Sequence, residues 1–304
     1  MVIEFQESIE AAFKAIVSSG MNEWVGGGDP RVVARINSQI IMTNLGGKLP
    51  SRVLDFGCGV GRVALGMIER FGQDLHIDGT DIVPEMIVLC ENEINARFKN
   101  ASFFCLASDN TLYEKYGTES APRHAEDQFF ASKEANYDLI YAFSVFTHLE
   151  KSQIERYLRI FRRMIAPSGR IIFSCFLLEA QSRKMIRDRF AAYPVQLNSE
   201  SDDIHLGRKD QENPLAFVAA SLDTIQELLT STGWVTAAIT FGSWRGELSD
   251  SSSFQDIVVA TPAELPPVAL NEQRYLELHS DVAATGVAAR WHYARYGRNE
   301  GRKT

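Results

Sequence analysis

A chain of 304 residues, 45% hydrophobic and 23% charged, is long enough to bury one full α/β core and to carry a small appendage. Its formal net charge of -8 argues against a nucleic-acid partner, because phosphate binding needs a basic surface. No apolar run approaches the ~18 residues of a membrane span, and the start, Met1 to Glu10, is acidic where a signal peptide would be basic, so a cytoplasmic protein is expected.

Phe5, Ile9, Phe13, Ile16 and Val17 recur at helical spacing and predict an amphipathic N-terminal helix. Asp29 as N-cap, with Pro30 in the first turn, opens a second helix. Between the two, Trp24 and Val25 precede Gly26-Gly27-Gly28, which suits either a flexible lid that stacks Trp24 on a ligand or a core anchor. The run Val53-Leu54-Asp55-Phe56-Gly57-Cys58-Gly59-Val60-Gly61-Arg62 then reads as a strand ending on a carboxylate, a turn with glycine at every second residue, and a helix start. Glycine at alternate positions permits dihedrals closed to residues with a Cβ and lets a ligand lie on the backbone at a helix N-terminus. A helix over 62–71, a strand over 75–80, a helix from Pro84 and a strand over 102–107 continue a βαβαβ alternation.

Tyr137-Asp138-Leu139-Ile140-Tyr141-Ala142-Phe143 forms the fourth strand. Ile154, Tyr157, Leu158, Phe161 and Ile165 mark the next helix, closed by Pro167-Ser168-Gly169 before a strand over 170–177. A helix over 222–230, a strand over 235–244, a polar turn over 246–252 and a strand over 254–261 predict an antiparallel pair at the sheet edge. Nearly continuous apolar strands imply a sheet covered on both faces. Cys58, Cys90, Cys105 and Cys175 lack any zinc or disulfide spacing and read as buried thiols in a reducing compartment.

Two cofactor classes compete for the glycine turn. Gly59-Val60-Gly61-Arg62-Val63-Ala64 fits the dinucleotide fingerprint, with Asp81 at about the distance needed to hold a ribose, which would make an NAD-dependent oxidoreductase. Against this, Asp55 would repel a pyrophosphate, Gly57 lengthens the turn, and an antiparallel edge pair is foreign to an all-parallel dinucleotide sheet. A carboxylate at this place suits a cation. Asp55-x-Gly57-x-Gly59-x-Gly61 followed by Gly79-Thr80-Asp81-Ile82 resembles the first two motifs of the class I S-adenosylmethionine (SAM) methyltransferases. Ser144-Val145-Phe146-Thr147-His148-Leu149 and Ile165-Ala166-Pro167-Ser168-Gly169 are similar to the members that modify sugars and secondary metabolites, and the resemblance spans roughly residues 24–261.

The resemblance implies an α/β fold, a Rossmann-like seven-stranded doubly wound sheet with an antiparallel last strand, and SAM as cofactor. It also assigns roles. Gly57, Cys58, Gly59 and Gly61 would pass beneath the methionine half, Asp55 would serve the ammonium, Asp81 would take the ribose hydroxyls, and Ile82 would pack on the adenine. Phe143 would complete the cofactor wall, and either Ser108 or Asp109 would meet the adenine amino group. No metal ion is assigned.

Methyl transfer from a sulfonium is a direct displacement that needs in-line placement and exclusion of water. A hydroxyl acceptor also needs a base, and His148, after the fourth strand, is the leading candidate; the competing reading is a histidine that caps the next helix or bonds the backbone. Asp202, Asp203 and His205 in the polar segment 194–214 form a second cluster, for acceptor or metal binding, or a solvated acidic loop. Trp244 and Tyr193 suit either sugar faces or the core.

The expected division is a catalytic domain over 1–261, with N-terminal helices in 1–50 and a substrate-binding insert over 178–220, a proline-marked linker over 262–267, and a helical segment over 268–304. That last segment, with Tyr275-Leu276, Asp281-Val282-Ala283, His292-Tyr293 and Gly297-Arg298-Asn299-Glu300-Gly301-Arg302, resembles a short module that accompanies bacterial glycosyltransferases and other glycan-associated proteins. It implies a sugar or nucleotide-sugar acceptor and, as alternatives for the segment itself, self-association, protein docking or packing on the main domain. A catalytically silent scaffold that acts through this module is a third reading of the whole chain.

Overall fold

The computed structural model describes residues 2–107, 124–133, 135–188, 204–206, 217–246, 253–264, 270–285, 289–293, 297 and 300–303. Helix α1 (Val2–Ser19) buries Ile9, Phe13 and Ile16, but Val17, expected on the same face, is 59% exposed because one further residue turns the side chain out of the apolar stripe. Asp29 caps α2 (Pro30–Thr43) as expected, its carboxylate accepting the N–H groups of Arg31 and Val32 at 2.8 and 3.2 Å.

The strands are β1 (Arg52–Phe56), β2 (His76–Asp81), β3 (Ala101–Ala107), β4 (His124–Ala125), β5 (Tyr137–Ala142), β6 (Ile165–Cys175), β7 (Leu177–Leu178), β8 (Ile204–Leu206), β9 (Val218–Ser221), β10 (Trp234–Thr240) and β11 (Asp256–Pro262). The main sheet runs β10-β11-β6-β5-β1-β2-β3-β4, so the seven expected strands gain a two-residue edge strand. All its pairs are parallel except those of β11, which is antiparallel to both β10 and β6. Successive strands leave β1 in both directions, and a crevice for ligands opens where the order reverses, at the carboxyl ends of β1 and β5. The edge pair is shorter than expected, because Gly242 breaks β10 and residues 243–245 turn into a short 3₁₀ segment.

Alternate residues of each strand feed two cores. Val53, Ile77 and Tyr141 face the side covered by α1, α2, α3 (Arg62–Phe71) and α4 (Pro84–Cys90). Leu54, Phe56 and Ile140 face α5 (Glu126–Ala131), α6 (Lys151–Met164) and α8 (Leu222–Ser231). Tyr137 stands opposite Ile165 and Leu139 opposite Arg170, so residues 166–169, expected as a turn, bulge out of a longer strand.

The insert contributes a second, three-stranded sheet, β7-β9-β8, and helix α7 (Ala180–Arg187). Asp256 fastens this region to the main sheet. Fully buried, it accepts the N–H of Gly242 at 2.7 Å, the N–H of Leu177 at 2.7 Å and the indole N–H of Trp244 at 2.8 Å. Burial lifts its pKa to about 6 against the pull of those three donors and of Arg245. Trp244 is buried beside Phe176 and Phe217, so it serves the core and presents no face to a sugar.

The C-terminal helices α9 (Glu272–Leu278), α10 (Ser280–Thr285) and α11 (Ala289–His292) close on a small core of their own, Tyr275, Val282 and Ala289, and the Tyr275 hydroxyl lies 3.0 Å from His292 Nδ1. Tyr193, Pro266 and Pro267 lie outside the described residues.

Candidate functional site

The chain reverses at the carboxyl end of β1 through three glycines at positive φ: Gly57 at 75°, Gly59 at 53° and Gly61 at 78°. The N–H groups of Gly57 and Cys58 both donate to Thr80 O, at 2.8 and 2.9 Å, which pins the turn to the end of β2. Side chains are excluded on steric grounds as well. A Cβ on Gly57 would lie 2.3 Å from Val145 Cγ2, and one on Gly61 would lie 2.3 Å from Ile94 Cδ1. Gly61 then starts α3, whose free N–H groups sit beside the turn.

Asp81 ends β2 and braces this turn. Its Oδ2 accepts the Gly59 N–H at 2.8 Å and its Oδ1 the Val83 N–H at 3.0 Å, while burial raises its pKa against these bonds. Each carboxylate oxygen retains a further lone pair for a ligand hydroxyl.

Asp55 lies opposite Gly79 on one neighbouring strand and Tyr141 on the other, and is 2% exposed. Burial raises its pKa from 3.8 to about 7 and the Asp81 charge adds to the rise, while the Tyr141 hydroxyl and the Ala64 N–H oppose it. The Tyr141 contact stops short of hydrogen-bond geometry: Asp55 Oδ2, the Tyr141 hydroxyl and Thr80 Oγ1 all lack a partner. A buried carboxylate oxygen without a donor is costly, and a cation is the ligand that would relieve it.

These residues line a cavity of about 550 Å³, within the range of small-molecule sites. Asp55, Gly57, Cys58, Gly59, Asp81, Ile82, Phe143 and His148 of the expected set all reach it; Gly61 lies just behind, at the start of α3. Trp24 lines it too, 40% exposed, which favours the lid over the core anchor. Ser108, Asp109, Asp202 and Asp203 lie outside the described residues, and His205 is placed by its backbone alone, in β8 opposite Ala219.

His148 ends a short turn, Phe146–His148, that follows β5. The helix cap considered for it belongs to Glu150, whose N–H donates to Gln153 Oε1 at 3.0 Å in a reciprocal capping pair, so His148 is not needed there. Beside it Ser144 holds φ 58°, rare for a residue with a Cβ, and donates its N–H to Ser174 Oγ at 2.7 Å. Ser144 Oγ and Ser174 Oγ both donate to Gln255 Oε1, at 3.2 and 2.5 Å, tying the ends of β5, β6 and β11 together at the cavity mouth. Phe176, Phe217 and Phe254 add an aromatic wall there, with Phe176 stacked on Phe217 at 4.4 Å.

Sequence reasoning missed Met86, Val145, Gln255, the aromatic wall and Arg62. The first four are set by long-range packing. Arg62 had a local signal: a cation in the first turn of a helix opposes the helix dipole and so requires a partner elsewhere.

A family model described as "Methyltransferase domain" matches residues 31–235. Solved structures similar to this chain include a SAM-dependent methyltransferase from Leishmania major, at 18% identity, covering 84% of this chain and 82% of that one with a TM-score of 0.49. Another is the 1,6-didemethyltoxoflavin-N1-methyltransferase of Burkholderia thailandensis, at 16% identity, 86% and 90% coverage and a TM-score of 0.48. A SAM-dependent methyltransferase from Clostridium acetobutylicum matches at 11% identity, 83% and 99% coverage and a TM-score of 0.49.

Proposed function

This chain belongs to the methyltransferase-domain family, and on that premise we propose that it moves a methyl group from SAM to a hydroxyl or amine of a small acceptor, a sugar or glycan-pathway intermediate being the leading candidate. The observation that carries the reading is Asp55 Oδ2, buried at the glycine turn with no partner, where the ammonium of the cofactor would satisfy it. Gly57, Gly59 and Gly61, at positive φ and with Val145, Val25 and Ile94 packed where side chains would be, let the turn close so that its backbone, with Cys58, faces the cavity for the methionine half; Asp81 offers its remaining lone pairs to the ribose hydroxyls. Ile82, Met86 and Phe143 supply apolar contact for the base. When bound, the sulfonium supplies an electrophilic methyl group.

The protein's own part is to hold the acceptor in line, exclude water and take a proton. The acceptor would be held with its lone pair in line with that methyl group. The acceptor proton leaves to His148, which lines the cavity from the turn after β5. Phe254, exposed at the cavity wall, supports a sugar acceptor, since aromatic faces suit the apolar faces of sugar rings; the C-terminal resemblance supports the same class. We assign residues 1–261 to catalysis, with 178–220 reaching the acceptor and 268–304 serving docking or self-association. Among the described residues no helix is long and apolar enough to cross a membrane, and four buried free thiols support a cytoplasmic setting. Incubation with SAM and a panel of sugars, nucleotide sugars and amines tests the reading. It predicts S-adenosylhomocysteine (SAH) release that depends on one class of acceptor; no release with any of them, and no SAM binding, would overturn it.

A further inference from the structure

We infer that Arg62 is a positioning residue that latches the strap formed by residues 22–28 over the cofactor cavity, so that cofactor exchange requires the latch to open. The inference rests on the cavity being the SAM site proposed above.

Arg62 follows Gly61 directly, so its backbone belongs to the floor of the site. Its guanidinium reaches across to the strap. Nη2 donates to Val25 O at 2.6 Å, and Nη1 donates to Gly27 O at 3.0 Å and to Asn22 Oδ1 at 3.3 Å. Burial lowers the pKa of this group and Glu23 opposes the shift, so the cation keeps its charge where the strap provides acceptors. A planar fork suits two carbonyls and an amide in a way that a single ammonium does not.

The strap is built to hold one shape and to be able to leave it. Gly26, Gly27 and Gly28 all have positive φ, at 90°, 62° and 76°, a run that glycine alone adopts at low cost. Asn22 closes the strap on itself, its side-chain Nδ2 donating to Gly28 O at 2.8 Å while its backbone carbonyl accepts the Gly27 N–H at 2.9 Å. Trp24, Val25 and Gly26 line the cavity, and a Cβ on Gly59 would meet Val25 Cγ1 at 2.9 Å. The strap therefore packs against the glycine turn that the cofactor would lie against. The charged bonds of Arg62 join the two sides.

The test uses the full chain. SAH dissociation is followed by stopped-flow displacement, and hydrogen exchange is followed over residues 22–28, for wild type, Arg62→Gln and Asn22→Ala. Arg62→Gln is expected to speed SAH dissociation roughly ten- to a hundredfold, the range for losing a hydrogen bond to a charged group, with Asn22→Ala moving the same way by less. Exchange at the Gly27 amide should rise while the strands of the main sheet stay protected. Dissociation within about twofold of wild type, or exchange that rises equally across the sheet, overturns the latch. If Arg62→Gln does not fold, an unchanged rate in Asn22→Ala overturns it. A wild-type protein that binds no SAH removes the cofactor reading itself, and the latch with it.

Discussion

Replacing Asp55 by Asn should stabilise the unliganded protein and weaken its hold on SAM, two effects of opposite sign from one buried group. The rise of its pKa from 3.8 to about 7 is some three units, so at 1.36 kcal/mol per unit the ionised carboxylate costs the folded state about 4 kcal/mol at pH 8. The folded chain holds this proton more tightly than the unfolded chain. Stability therefore falls as pH rises from about 4 to about 7 and is flat above that. Asn carries no charge, but an amide left partly unpaired gives back about 1–3 kcal/mol, which leaves a net gain of about 1–3 kcal/mol at pH 8. The gain should shrink as pH falls from about 7 through 4 and be gone below about 3, where Asp55 is protonated in both states. Affinity for SAM should drop by about 1.5–3 kcal/mol through loss of the charged partner of the ammonium. Thermal unfolding without ligand across this pH range, and calorimetry with SAM at pH 8, measure the two effects. A variant less stable than wild type at pH 8, or a stability difference that does not change with pH, would refute the claim that Asp55 is a strained, unsatisfied charge.

Three further outcomes are expected. His148→Ala should cut turnover with a hydroxyl acceptor about a hundredfold or more while SAM affinity stays within a factor of a few, read from steady-state rates and calorimetry; an unchanged rate removes His148 as the base. Gly57→Ala forces a Cβ to 2.3 Å from Val145 Cγ2 at φ 75°, so SAM binding should be lost, together with at least about 1–2 kcal/mol of stability; a variant that binds SAM normally would show that the turn has room to spare. A chain ending at Glu264 should keep its SAM affinity and change its acceptor affinity or its mass in light scattering, whereas an insoluble product would make the C-terminal helices part of the main core.

Much of the fold is legible because its signals are local. Alternating glycines, Asp29 with Pro30, and the 62–71 helix each declare themselves within a few residues, and the antiparallel β11 follows from two strands joined by a short polar turn. Asp55 and Asp81 are legible for the same reason: Asp55 stands one residue before the end of β1 and Asp81 ends β2, each next to the turn it serves. What escaped depends on contacts between distant segments. Arg62 finds its acceptors about forty positions earlier in the chain, and Gln255 joins Ser144 and Ser174 across three strands. Trp244 carries no sequence mark to separate a buried anchor from a sugar platform; its burial is decided by Asp256, Phe176 and Phe217. Val17 shows the limit of periodicity, since a single residue's step carries it off the buried stripe.

The central claim, a SAM site built on Asp55, the glycine turn and Asp81, is tested most directly by titration calorimetry of the full chain with SAM, SAH and NAD, repeated on Asp81→Ala. SAM and SAH should bind wild type and NAD should not, and Asp81→Ala should lose about 1.5–3 kcal/mol of SAM affinity through the ribose hydroxyls. Binding of NAD without SAM, or SAM affinity untouched by Asp81→Ala, would contradict it.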